Sequence, residues 1–229
     1  MQNLGNDFIF INQEINSTKV IELCDRYTGI GADGVIVIKD GEMKIFNSDG
    51  TSANMCGNAL LCLGILDENI KEIKTPSGIK TIYHDKENTI INMGQPKIMK
   101  GFPKKFHGIT INTINIGNLH VVAMVDDVDL FDLDYFAKSL QYYIKANVNI
   151  VSDIKKDSFK IRTFEYGAEE TNSCGSGISS SFFVLNKLGL VEQKCNAFCL
   201  GGKLEVYAEN NEIYIKSSPK LVYKGVIEI

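Results

Sequence analysis

Asn54-Met55-Cys56-Gly57-Asn58 and, 118 residues later, Asn172-Ser173-Cys174-Gly175-Ser176 are where the two halves of this sequence echo each other. Each stretch opens a segment of helical spacing, Gly57 to Leu66 and Gly175 to Leu188. The separation is about half of the 229 residues. Two similar lobes, each contributing one cysteine at a helix start, would give that spacing.

Working outward, two further segments have helical spacing, Thr18 to Tyr27 and Leu130 to Ala146. Apolar or alternating runs at Gly34 to Ile38, Thr89 to Met93 and Ile109 to Ile114 predict strands, and strands dominate. From Phe198 onward the chain reads as a meander, with turns at Gly201-Gly202 and Glu209-Asn210-Asn211 and a last strand at the end. The class is mixed α/β (α+β). Gly101 and Pro103 break the pattern between Lys100 and His107. This places an N-terminal lobe with Cys56 at 1–105, a C-terminal lobe with Cys174 at 106–217, and a final strand at 218–229 that returns to the N-terminal lobe.

A net charge of −4 and a sequence pI near 5.5, without a strong Lys/Arg cluster, argue against nucleic acid as the partner. A small molecule is the expected ligand. The start, MQNLGNDFIF, has neither a basic n-region nor a long apolar core, and no apolar run reaches membrane-span length. The chain reads as cytoplasmic. Six cysteines, Cys24, Cys56, Cys62, Cys174, Cys195 and Cys199, are too few for a disulfide scaffold at this length. A four-thiolate zinc site from Cys56, Cys62, Cys195 and Cys199 has poor spacing, so no metal is expected.

Inverting a carbon that carries hydrogen requires a base on one face and an acid on the other. Two thiols serve, because a helix N-terminus lowers the thiol pKa toward neutrality, so one can rest as thiolate and its partner as thiol. The same helix ends offer N–H groups and positive dipole ends for a carboxylate, and Gly57, Gly175 and Gly177 allow close approach. The competing reading is a pair of buried structural thiols. Taken singly, Asn6, Asn47, Asn118 and Asn147 read as turn residues, His120 as an ordinary imidazole and Glu165 as a solvated charge.

At these motifs the chain resembles the diaminopimelate epimerase family, nearly end to end. The resemblance lies in Leu4-Gly5-Asn6-Asp7-Phe8, in Arg26 with Thr28 to Gly34, in Phe46 to Gly50 and Met55 to Asn58, in Gly117-Asn118-Leu119-His120, and in Glu165 through Gly177. It implies two pseudo-symmetric lobes of mostly antiparallel mixed sheet, each wrapped around a central helix, with substrate between them and no cofactor. It further implies proton transfer by Cys56 and Cys174, tuned by His120 and Glu165. Substrate ligands would be Asn6, Asn47, Asn118, Asn147, Glu165 and Tyr166, with Gly57, Asn58, Gly175 and Ser176 holding the anion. The implied activity is the conversion of LL- to meso-diaminopimelate in lysine biosynthesis by a homodimeric, pyridoxal-independent isomerase.

The chain departs from the family pattern where a guanidinium grips the distal carboxylate: that place is Tyr166. Gly-x-Arg-Cys becomes Ala59-Leu60-Leu61-Cys62, a glycine becomes Glu169, and a proline becomes Leu119. A tyrosine gives one O–H bond and no charge. The substrate alternatives are therefore another amino acid, such as histidine or lysine, handled by a racemase. A non-catalytic amino-acid-binding protein is the alternative of another class.

Overall fold

A computed structural model describes residues 1–227. The chain forms two compact units, Met1–Ile91 together with the tail from Ser217, and Asn92–Lys216. The sequence break at Gly101 and Pro103 lies inside the second unit. The crossing itself runs through the continuous strand Asn88–Gly94, so no helix or strand breaker marks it.

In the first unit the strand Asn6–Ile11 leads into α1 (Ser17–Cys24) and on to Gly34–Lys39, which pairs parallel to it. Asn16 caps α1 through a bond from Lys19 N–H, and Val20, Leu23 and Cys24 face the core. The sequence carries this helix on to Tyr27, but the Asp25 carboxylate takes the N–H groups of Tyr27 and Thr28 at 2.8 and 2.6 Å and turns the chain. Glu42–Asn47 follows antiparallel, then Ser52–Ala53, Cys56 and α2 (Gly57–Leu66). The strands Glu72–Thr75 and Gly78–Asp85 and the start of Asn88–Gly94 complete the unit. α2 has no charged residue, and Gly57 to Gly64 are all buried, as an all-round apolar helix must be.

The second unit repeats this order. Leu119–Met124 leads through α3 (Leu133–Gln141) to its parallel partner Asn147–Lys155, then to antiparallel Ser158–Glu165 and the short strand Glu169–Thr171. Cys174 and α4 (Gly175–Lys187) follow, then Lys194–Cys199, Gly202–Glu209 and Glu212–Ser217. α3 is shorter than the expected 130–146 because Asp132 caps it late, through Tyr135 N–H, and the exposed Tyr142 and Tyr143 lie beyond its end. α4 packs on strands from both halves of its sheet, Ile109–Asn115, Leu119–Met124, Asn147–Lys155 and Gly202–Glu209.

Strand register makes the repeat residue-specific. Phe8 pairs with Gly34 in the first unit as His120 pairs with Asn147 in the second, and Val35 opposes Phe46 as Val148 opposes Phe164. Asn6 therefore answers to Asn118, Asn47 to Glu165, Cys56 to Cys174 and Asn58 to Ser176.

The expected last strand is a correction. Lys220 alone bridges to Gln2, with both backbone bonds at 2.9 Å, and no strand forms over 221–227. Pro219 has no N–H to add to a ladder, and Leu221, Val222, Tyr223 and Val226 are exposed, so no apolar face fixes a register. Residues 228 and 229 of that expected strand lie outside the described residues.

Candidate active site

Cys56 and Cys174 both occupy the N-cap position of their helices, with matching extended backbones (φ −140°, ψ 112° and φ −127°, ψ 107°). Cysteine is a poor substitute for the Ser, Thr, Asp or Asn usually found there, and neither thiol caps its own helix. The first N–H groups of α2 and α4 have no acceptor within the helix, which leaves a donor-rich, electropositive end beside each sulfur. The other thiols are different in kind. Burial pushes Cys24 up to about 11 and Cys62 and Cys195 up to about 12, so these three hold their protons and act as core; the half-buried Cys199 is raised as well, again by burial.

In the first unit a chain of amides fixes the entrance to α2. Ser217 Oγ donates to Asn3 Oδ1 at 2.7 Å, Asn3 Nδ2 to Asn58 Oδ1 at 3.0 Å, and Asn58 Nδ2 to Asn6 Oδ1 at 3.2 Å. Asn6 Nδ2 in turn donates to Asp33 Oδ2 at 2.6 Å. Asp33 is held by Arg26, whose guanidinium also forks onto both oxygens of Asp7 at 3.1 and 2.7 Å. Burial pushes the Asp7 carboxyl up, but the Arg26 bonds and charge outweigh it and hold the group below the usual carboxylate range. Asn47 ends the strand Glu42–Asn47 with its side chain exposed, and gives its amide to Thr51 Oγ1 across the turn that follows, at 3.0 Å.

The second unit gathers Asn118, His120, Asn147, Glu165, Tyr166, Cys174, Gly175 and Ser176. Ser176 Oγ lies 3.4 Å from Cys174 Sγ, 3.0 Å from His120 Nε2 and 3.3 Å from Asn118 Nδ2. His120 is fully buried, and burial drives its pKa down to about 3, against a smaller opposing pull from Asn149. It is a neutral hydrogen-bonding ring and carries no charge at working pH. Glu165 accepts Thr171 Oγ1 at 2.7 Å and is hydrogen-bonded to Cys174, and burial raises its pKa from the ordinary value. Asn147 Oδ1 takes the backbone N–H of Tyr166 at 2.9 Å, and the Tyr166 side chain is half exposed.

Sequence reasoning passed over Asn3, Asp7, Arg26 and Asp33, although three of these stand in stretches that carry the resemblance. It also passed over Asn149, Thr163 and Thr171. The alternation Asn147-Val148-Asn149 was the available signal, since a strand sends both amides to one face.

The diaminopimelate epimerase family model matches residues 1–99 and 112–222. A diaminopimelate epimerase of Acetivibrio thermocellus is 29% identical, covering 100% of this chain and 97% of the relative. One of Zymomonas mobilis is 32% identical, covering 98% of this chain and 94% of the relative. Among solved structures, a phenazine biosynthesis protein of the PhzF family from Bacillus anthracis superposes with a TM-score of 0.69 at 13% identity, covering 96% of this chain and 92% of that one, a likeness of fold alone.

Proposed function

The chain belongs to the diaminopimelate epimerase family, and on that footing we propose that it inverts the α-carbon of an amino acid, LL-diaminopimelate first among candidates, with Cys56 and Cys174 as the two proton-transferring groups. The observation that carries this reading is the repeat itself. At equivalent positions of two equivalent units, a residue poorly suited to capping takes the N-cap in the same backbone conformation.

In this mechanism one thiolate takes the α-proton and becomes a thiol. The electron pair left on carbon spreads into the α-carboxylate, and the second thiol protonates the opposite face and becomes a thiolate. N–H groups at the starts of α2 and α4 hold the carboxylate as charge develops on it, a preorganised contribution of about 2.7–4 kcal/mol for each effective donor. A positioned acid or base contributes about 10²–10⁴-fold. The chemistry asks no electron-sink cofactor of the protein. It does require that both thiols reach one carbon from opposite sides.

Tyr166 favours a second reading for the substrate, a racemase for an amino acid without a distal carboxylate. Arg162, four residues earlier on the strand that ends at Glu165, does not replace the missing guanidinium. It is engaged by both Glu170 oxygens at 2.6 and 2.8 Å and by the carbonyls of Val128 and Phe131.

The test is α-deuterium incorporation in D₂O under reducing conditions, followed by NMR for LL-diaminopimelate and a panel of single amino acids. The reading expects exchange with diaminopimelate in the wild type, and inversion abolished in Cys56→Ala and in Cys174→Ala. Exchange with histidine or lysine alone would move the substrate and keep the mechanism. No exchange with any amino acid, or full turnover in either alanine variant, would overturn the proposal.

A further inference from the structure

The two units share one plan, so each serves as a control for the other. Near the Cys56 helix, Phe8, Ile36, Ile45 and Ala59 occupy four equivalent places with apolar side chains. Near the Cys174 helix the same places hold His120, Asn149, Thr163 and Gly177. The fold therefore does not need polarity there, yet all four have changed together.

They form one device. Asn149 is fully buried and makes three bonds: Nδ2 to the Val121 carbonyl at 3.0 Å, Nδ2 to His120 Nδ1 at 3.1 Å, and Oδ1 from Thr163 Oγ1 at 3.0 Å. A carbonyl can only accept, so Val121 fixes which end of the amide is the NH₂. That NH₂ in turn requires a bare lone pair at Nδ1. Gly177 makes the room, since a Cβ there would stand 2.2 Å from Asn149 Oδ1 and 3.1 Å from Thr163 Oγ1.

We propose that Asn149 is a positioning residue which locks neutral His120 in its Nε2–H tautomer, so that the proton of Ser176 is left to point at Cys174. The role given to Cys174 rests on the function proposed above. With its proton on Nε2, His120 donates to Asn118 Oδ1 or Ser176 Oγ, both at 3.0 Å, and Asn118 Nδ2 also reaches Ser176 Oγ. Ser176 Oγ is then an acceptor on that side, and its own hydrogen has Cys174 Sγ at 3.4 Å. When Cys174 is a thiolate this bond stabilises it, and the donor is in place before the proton moves. Asn147 Nδ2 lies 3.4 Å from Nε2. It is the longer of the two amide contacts, and only one ring nitrogen of a neutral imidazole can accept.

The experiment is long-range proton–nitrogen NMR on protein labelled with [¹⁵N]histidine, without substrate, in the wild type and in Asn149→Asp. In the wild type, His120 should show a protonated Nε2 and a bare Nδ1. In Asn149→Asp an ionised carboxylate demands the reverse tautomer, and Ser176 then gives its hydrogen to the bare Nε2. Turnover should fall about tenfold to a hundredfold in kcat with little change in KM. A wild-type His120 protonated at Nδ1 would overturn the proposal. The wild-type spectrum decides by itself if the variant fails to fold, and it holds whether or not the protein epimerises anything.

Discussion

Gly64 lies inside α2, where alanine would ordinarily stabilise a helix by about 0.8–1 kcal/mol. Here the sign should reverse. A Cβ at position 64 would lie 2.4 Å from Thr89 Cγ2, 2.7 Å from Thr89 Oγ1 and 3.0 Å from Ile82 Cγ2. Ordinary carbon contacts sit near 3.5–4.0 Å, and both neighbours are in the core, Thr89 at 0% and Ile82 at 1% exposure. Overpacking of this kind costs about 1–3 kcal/mol, so with contacts this close Gly64→Ala should lose up to about 2 kcal/mol net, or up to about 8 °C in Tm at this chain length. Because α2 starts directly after Cys56, turnover should fall as well. Thr89 offers the compensating change. Its hydroxyl is buried with no hydrogen-bond partner among the described residues, so Thr89→Ala removes both the clashing atoms and an unsatisfied donor. Urea denaturation followed by circular dichroism on the four corners of the cycle should show a coupling of about 1 kcal/mol or more. A Gly64→Ala midpoint at or above wild type, or strict additivity with Thr89→Ala, would refute this account of the α2 contact.

Glu165→Gln should stabilise the fold at pH 8 while lowering turnover about tenfold or more. Burial raises the Glu165 pKa, so the folded state holds that proton more tightly, and its favourable contribution is lost as pH rises through the folded value; a Tm at pH 8 below that of wild type would contradict it. Tyr166→Arg should lower KM for diaminopimelate about tenfold or more, the equivalent of a charged bond of about 1.5–3 kcal/mol, and an unchanged KM counts against a distal carboxylate at this place. His120 has its pKa depressed from 6.5 to about 3, so the unfolded chain binds the extra proton. Stability should therefore fall by up to about 1.4 kcal/mol per pH unit on acidification below pH 6.5. Denaturation of His120→Phe between about pH 6.5 and 5 should show a flatter slope, and an identical slope would place the proton elsewhere.

The sequence by itself determined the class, the two buried helices and the cysteines that open them. The reason is local: α2 has the range read from the sequence, 57–66, because an uninterrupted apolar run after Cys-Gly leaves little choice. Only the tertiary structure decided what depends on register and on contacts across the chain. The ends of α1 and α3 were set by Asp25 and Asp132, whose carboxylates chose the N–H groups they would hold. The tail beyond Lys220 gained no strand because it found no ladder to join. Asn149 is one polar residue in a strand, and only the folded chain brings Val121, Thr163 and Gly177 around it. Its role is a matter of which atom donates and which accepts, and a linear pattern of residue types does not carry that information.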